Sequence, residues 1–445
     1  MKWLLNKIYK IYRTYMPIFI ITALFLGIIL AKYIPYVLKT ANFLVSKLID
    51  SIVFFAPIAI FIVLAPSLAK MMKAGKESGF AIFIIFWFGL TRILAGLWAA
   101  VFTAAILRLP IINYTRGEIN YNFPELLGQN LMLLKDLILY NVFFWAIGIS
   151  IIVGIVAFFW EKLYRSLQKA SQSIETFGDY LEPFIPLLML LLGAYIYSLP
   201  QTLTQSVSND TITNISKAGA GYINLLGFNI NISTEFGLVW VYILGSILIG
   251  IGCFIWQGMQ LVVLKRYLGN FSIKKFFKQY WLKIYPLAWS TSSEVISMPL
   301  NMSLIKRSYK EVKITVRKLV IGLGAYMNIN GTTMHVILLA GIVARLLGYE
   351  PSLIQLALGV PIIAIVGYGV PGIPGELVLF AVPVVKILNL PEPAIALFMA
   401  LYLALQVGLP DSFRTGANVT DNGIYALGLN KLFKEKFMKG NEEEE

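Results

Sequence analysis

The chain has 445 residues, 58% of them hydrophobic and 13% charged. Soluble domains carry roughly a quarter charged residues, so composition excludes an ordinary water-soluble protein and points to an integral membrane protein. The formal net charge is +14, but the lysines and arginines stand in short clusters between apolar runs, which argues against nucleic acid as a partner and fits the positive-inside rule. The single cysteine, Cys253, rules out an intramolecular disulfide. Residues 16–30 run on too long for a signal-peptide core, so no cleavable leader is expected.

A hydrocarbon core about 30 Å thick takes roughly 20 apolar residues per helix. On that measure the chain predicts spans at 11–34, 40–69, 79–107, 130–160, 181–199, 235–264, 317–347 and 391–430. Basic clusters fall in alternate loops: Lys2 to Arg13 before the first span, Lys70 to Lys76 after the second, Lys162 to Lys169 after the fourth. Lys265 to Lys278 follow the sixth and Lys431 to Lys439 the eighth. That alternation predicts cytoplasmic termini and an external loop at 200–234. Asn209, Asn214 and Asn231 there begin Asn-x-Ser/Thr triplets, a pattern that chance also produces.

Two stretches do not read as ordinary spans. Residues 279–305 contain IYPLAWSTSSEVISMPLNM, and residues 351–390 contain VGYGVPGIPGELV. Each has two short apolar arms around a polar or Gly/Pro-rich tip, and each starts and ends on the same side. That describes a re-entrant helical hairpin, which survives at membrane depth only when buried in protein or lining a wet cavity. Entry from opposite faces suggests an inverted repeat whose tips meet near the midplane. Pairs of Pro-kinked core helices are the plainer alternative.

The last span carries charge. At 100° per residue, Asp411, Arg414, Thr415, Asn418 and Asn422 lie at roughly 0°, 300°, 40°, 340° and 20°, one stripe that leaves Asp421 at its edge near 280°. Intramembrane ions face a partner or a cavity. An Asp411–Arg414 pair at i,i+3 that only ties the bundle together is one reading. A site for a zwitterion is the other, with Arg414 gripping a carboxylate and Asp411 holding an ammonium group. The seventh span is interrupted by YMNINGTTMH (326–335). Gly331, Asn328 and Asn330 favour an unwound turn whose carbonyls suit a ligand or cation, or else a kinked helix with satisfied side chains.

Taken together, STSSE (290–294), NINGT (328–332), GYGVPG (367–372) and DSFRTGANVTDN (411–422) resemble the dicarboxylate/amino acid:cation symporters, a family that includes glutamate and aspartate transporters. The resemblance runs over nearly the whole chain. It implies an all-α integral membrane fold of eight transmembrane helices plus two re-entrant hairpins, arranged as inverted repeats in a homotrimeric, elevator-type transporter of the cell membrane. Residues 1–78 and 111–234 would form the scaffold. The mobile transport domain would comprise 79–110 and 235–435, with hairpins near 273–310 and 351–390, followed by a charged cytoplasmic tail at 436–445. Arg414 looks like the residue that grips a substrate side-chain carboxylate, and Asp411 like the one that takes the α-amino group. Ser292, Ser293, Thr332, Thr415, Asn418 and the backbone at Val370, Pro371 and Gly372 would complete the pocket. Keeping Asp411 and Arg414 together favours an acidic amino acid over a dicarboxylate without an amino group. No cofactor and no resident metal are implied.

Three departures from the family pattern concern the driving ion. Sodium-driven members carry carboxylates where this chain has Asn330 and Asn422, and hard cations prefer charged oxygens. Arg92, deep in FIIFWFGLTRILAGLW and next to Thr91, stands where the family usually has a small hydroxyl residue. Its permanent charge is read as a tethered substitute for sodium, with snorkelling to an interface as the alternative. Asn328 belongs to the same ion-site region. Proton coupling therefore leads over uncoupled exchange and sodium coupling. Glu294 is the first candidate carrier, the lone His335 a weaker one, and Glu376 an interfacial group. A membrane hydrolase using Ser292 or Ser293 would need a general base, and a plain channel would not need the Asp411 and Arg414 combination.

Overall fold

The structure is a computed structural model that describes residues 18–20, 22–73, 78–112, 132, 142–191, 193–194, 197, 222–225, 227–231, 237–369, 377 and 380–438. In chain order these form α1 (Pro35–Lys73), α2 (Ser78–Leu107), α3 (Val142–Phe159), α4 (Glu161–Leu181), β1 (Tyr222–Leu225) and β2 (Phe228–Asn231). Then come α5 (Gly237–Leu268), α6 (Leu282–Thr291), α7 (Glu294–Ser308), α8 (Ile314–Met327), α9 (Asn330–Leu346) and α10 (Leu353–Val366). The chain ends in α11 (Ala381–Leu388), α12 (Glu392–Leu405) and α13 (Leu409–Lys436).

Among the described residues three helices are long and apolar enough to cross a membrane: Gly79–Leu107, Gly237–Leu268 and Ile314–Leu346. The expected spans 11–34, 130–160 and 181–199 lie partly outside the described residues. Two expectations need correction. The span read as 391–430 is two helices, Ala394–Leu405 and Leu409–Lys436, bent by 67°. Gly408, at φ 81°, sits at the bend and starts α13. The all-α reading also missed a small antiparallel β-hairpin, with Tyr222 opposite Asn231 and Leu225 opposite Phe228. Its four-residue strands leave too short an alternation to register against the polar residues around them.

Side-chain exposure separates lipid-like faces from protein-facing ones. On α2, Ile82, Phe86, Leu90, Leu94, Leu97 and Val101 are exposed, while Phe80, Ile84, Phe88, Ala95 and Ala99 are buried. Small residues on the buried side let α9 approach α2 closely. By contrast α8 and α9 are buried nearly all round, as expected of a central element.

The first predicted hairpin is present as α6 and α7. Ser292 turns the chain in the left-handed region at φ 46°, and Ser293 caps α7 by accepting from the Ile296 N–H at 3.3 Å. The arms of the second are α10 and α11, tied where Gln355 Nε2 donates to the Ile387 carbonyl at 3.1 Å. The core follows the same division. One apolar cluster joins α8 to the first hairpin, and another joins α9 to the second hairpin and α12. The junction between them is the break between α8 and α9.

α13 packs against α5, α6, α7, α8 and α9. The first hairpin seats on it closely: Tyr280 Oη donates to Asn301 Oδ1 at 2.7 Å, and Asn301 Nδ2 donates to the Val419 carbonyl at 2.8 Å. A Cβ at Gly423 would lie 2.1 Å from Tyr280 Oη. Gly423→Ala is therefore expected to lower stability by about 1–3 kcal/mol, the usual cost of overpacking. A thermal-unfolding scan in detergent checks this, and an unshifted midpoint would contradict the packing.

Candidate functional site

An interrupted helix strands backbone groups on both sides of the cut. α8 ends at Met327, Asn328 and Ile329 leave helical geometry, and α9 begins at Asn330. Side chains from two other helices meet the stranded groups. The Gly331 N–H donates to Asn418 Oδ1 at 2.6 Å. Asn328 Nδ2 donates to the Asn418 carbonyl at 3.1 Å and to Asn422 Oδ1 at 2.8 Å. Position 331 must be glycine because a Cβ there would lie 2.3 Å from the Arg414 carbonyl oxygen.

Arg92 serves the other side of the break. From α2 its Nη1 donates to the Ala364 carbonyl, at the end of α10, at 2.5 Å, and its Nη2 donates to the Met327 carbonyl, at the end of α8. The guanidinium lies 4.3 Å from the Tyr368 ring centroid, within cation–π range, and Tyr368 Oη donates to the Ile85 carbonyl at 3.0 Å. Arg92 is 0% exposed, so it does not snorkel. It sits at a set of carbonyl oxygens of the kind that would otherwise attract a cation.

On α13 the polar stripe is buried as a unit. Arg414 and Asp411 are 1% and 2% exposed. Arg414 Nε donates to Asp411 Oδ1 at 2.5 Å, and Nη2 donates to the same oxygen. The pair foreseen in the plainer reading is thus formed. It does not close on itself, because Arg414 Nη1 also donates to Thr332 Oγ1 at 2.7 Å. Asn418 Nδ2 donates to Thr332 Oγ1 at 3.0 Å and to Glu294 Oε1, beside the first hairpin tip, at 2.8 Å. One network therefore links α13, the start of α9 and the hairpin. A planar guanidinium and a carboxylate held this way can recognise a carboxylate and an ammonium group respectively.

The other predicted residues divide. Ser292 Oγ lies 3.2 Å from Ser412 Oγ, so the tip reaches α13. Ser293 is fully buried and serves as the α7 cap. Thr415 Oγ1 donates to the Asp411 carbonyl on its own helix at 2.9 Å, and Thr91 Oγ1 does the same to Phe88 at 3.3 Å. Asn330 and Asn422 do not face each other: Asn422 meets Asn328, whereas Asn330 Nδ2 donates to Asp421 Oδ2 at 2.9 Å. His335 is wholly buried, and neither ring nitrogen has a hydrogen-bond partner among the described residues. Val370, Pro371, Gly372 and Glu376 lie outside the described residues.

Sequence reading missed Ser412, Tyr368 and the surroundings of Asp421. Trp256, Gln257 and Gln260 of α5 all donate to that carboxylate, at 3.2–3.3 Å. The run WQGMQ, polar inside an otherwise apolar span, was the available signal.

The model of the sodium:dicarboxylate symporter family matches residues 221–432. That stretch holds the β-hairpin, both helical hairpins, the broken helix and almost all of α13, and so every site residue except Thr91 and Arg92. No curated protein matches the chain. Because Arg92 is outside the matched stretch but satisfies two carbonyls inside it, Arg92→Ser is expected to destabilise the fold by about 1–3 kcal/mol per stranded carbonyl. Detergent melting curves measure this, and an unchanged midpoint would show that Arg92 does not hold the break.

Proposed function

We propose that this chain, a member of the sodium:dicarboxylate symporter family through its residues 221–432, is a sodium-independent, proton-coupled carrier of aspartate or glutamate. The family is one of secondary active symporters for dicarboxylates and amino acids, built as multi-pass membrane proteins. The finer assignment rests on one observation above the rest: a buried Asp411–Arg414 pair at the meeting point of the α8–α9 break and the first hairpin. An acidic amino acid presents one carboxylate for Arg414 and one ammonium group for Asp411. A dicarboxylate without an amino group would leave Asp411 facing a like charge.

Sodium independence is supported by Arg92 occupying the Met327 and Ala364 carbonyls and by asparagine at positions 330 and 422. A proton would need a buried carboxylate beside the substrate residues, and Glu294, which accepts from Asn418, and Asp421, which accepts from Asn330, both lie there. The elevator movement, the homotrimer, the plasma-membrane location and cytoplasmic termini are part of the same proposal. The exposed apolar stripes of α2 and α5 suit a lipid setting. A hydrolase reading gains no support from the serines. Ser292 meets another serine and Ser293 a backbone N–H, neither of which is a general base.

Radiolabelled aspartate uptake into liposomes, under imposed proton or sodium gradients, tests the reading. Arg414→Ala is expected to reduce uptake at least a hundredfold, because losing a charged partner to a buried carboxylate costs about 3–5 kcal/mol. Retained uptake would overturn the assignment. The double variant Arg92→Ser with Asn330→Asp is expected to make uptake respond to a sodium gradient, and no response would remove the tethered-cation role.

A further inference from the structure

By helical angle Asp421 stands at the edge of the α13 stripe, about 100° around the helix from Asn422. The structure shows where it points. The carboxylate is 0% exposed and takes hydrogen bonds from Asn330 Nδ2, Trp256 Nε1, Gln260 Nε2 and Gln257 Nε2. All four donors are neutral, and no lysine or arginine bonds to it among the described residues. Tyr425 Oη accepts from Asn330 Nδ2 at 2.6 Å and Gln260 Nε2 at 2.7 Å, closing the ring. The other titratable groups in electrostatic reach are Cys253 on α5, Tyr280 ahead of α6 and Tyr425 on α13. A thiol and phenols are neutral near pH 7 at their ordinary values, so Asp421 is the one group in this cage that carries a negative charge when ionised at its ordinary value.

We propose that Asp421 is the proton-binding carboxylate of this transporter, ionised in the amide cage described here and protonated when an acidic amino acid is carried. The inference rests on the proton-coupled reading above and names the residue that would do the coupling.

Two independent observations carry it. The first is orphaned acceptors. Neither Asn330 Oδ1 nor Gln260 Oε1 has a donor among the described residues, although both atoms are buried. The same two side chains turn their NH₂ groups to the carboxylate. A proton on Asp421 converts one carboxylate oxygen into an O–H donor, and rotating either amide by 180° supplies an acceptor for it. The cage can therefore bond the carboxyl group in either charge state, and the protonated one gives an orphaned amide oxygen a donor. A metal ion would instead need these oxygens already turned inward.

The second is charge. Among the described residues around the site, with the buried His335 counted neutral, the buried charged groups are two guanidinium groups, Arg92 and Arg414, and three carboxylates, Asp411, Asp421 and Glu294. Ionised throughout, they leave one negative charge in excess, and an acidic amino acid adds another. Unbalanced charge at membrane depth is costly. A proton on Asp421 offsets the charge the substrate brings. The cage is also joined to the substrate residues: Asn330 opens α9, the Gly331 N–H holds Asn418, and Thr332 holds Arg414. On this account Glu294 is a positioning residue that acts through Asn418.

The test uses the full chain in liposomes with radiolabelled aspartate. In the wild type, an inside-alkaline gradient drives accumulation. In Asp421→Asn, gradient-driven accumulation is expected to fall at least tenfold, while exchange against preloaded aspartate persists without its pH dependence. Gln260→Leu keeps the carboxylate but removes one donor to its anion. It is expected to move the pH midpoint of exchange upward by about one unit. If the wild type accumulates nothing under a proton gradient, the proton-coupled reading fails. If the wild type accumulates and Asp421→Asn does too, or if Asp421→Asn does not fold and Gln260→Leu leaves the midpoint in place, Asp421 is not the proton site.

Discussion

A helix cut in its middle and buried on all sides must return its stranded backbone groups to other protein atoms, since no water is at hand to take them. The rest of the site depends on how the cut at Asn328–Ile329 is closed. α13 supplies Asn418 to the new N-terminus at Gly331, and α2 supplies Arg92 to the old C-terminus at Met327. Each of those side chains then fixes something else. Asn418 orients Glu294 and Thr332, and Arg92 reaches the end of α10. The break thereby organises both hairpins around one point.

Arg92 and Arg414 differ in what they can release. Arg92 binds backbone carbonyls and lies over the Tyr368 ring, and releasing the carbonyls would strand the backbone ends of α8 and α10. Arg414 binds a carboxylate and a hydroxyl. An incoming carboxylate can replace the first of these like for like, and an ammonium group can then satisfy Asp411. Buried ion pairs add little net stability once desolvation is counted, so exchanging partners need not strain the fold.

Much of this was legible in the chain itself. Three of the short motifs sit on irregularities, namely the hairpin turn at Ser292, the break at Asn328–Ile329 and the short helical turn at Gly367–Gly369, and the fourth lies on α13. The periodic angle of α13 put Asp411, Arg414 and Asn418 on one face, and they share one network. What periodicity cannot supply is the identity of the neighbour on each face. Helical angle put Asp421 at the edge of the stripe, yet three of its four donors come from α5, some 160 residues earlier. Ser293 was read for its hydroxyl alone, although a serine ahead of a helix is equally a cap. The bend at Gln406–Gly408 was missed because the apolar run before it was read straight through Gly408 and Pro410 into α13.

The central claim is that the Asp411–Arg414 pair is a resting arrangement opened by a guest. A cryo-EM map of the protein saturated with aspartate tests it most directly. The account predicts density for the amino acid between α13, Thr332 and the first hairpin tip, with the Arg414 guanidinium turned from Asp411 onto a substrate carboxylate. An intact Asp411–Arg414 pair with aspartate bound elsewhere would contradict it.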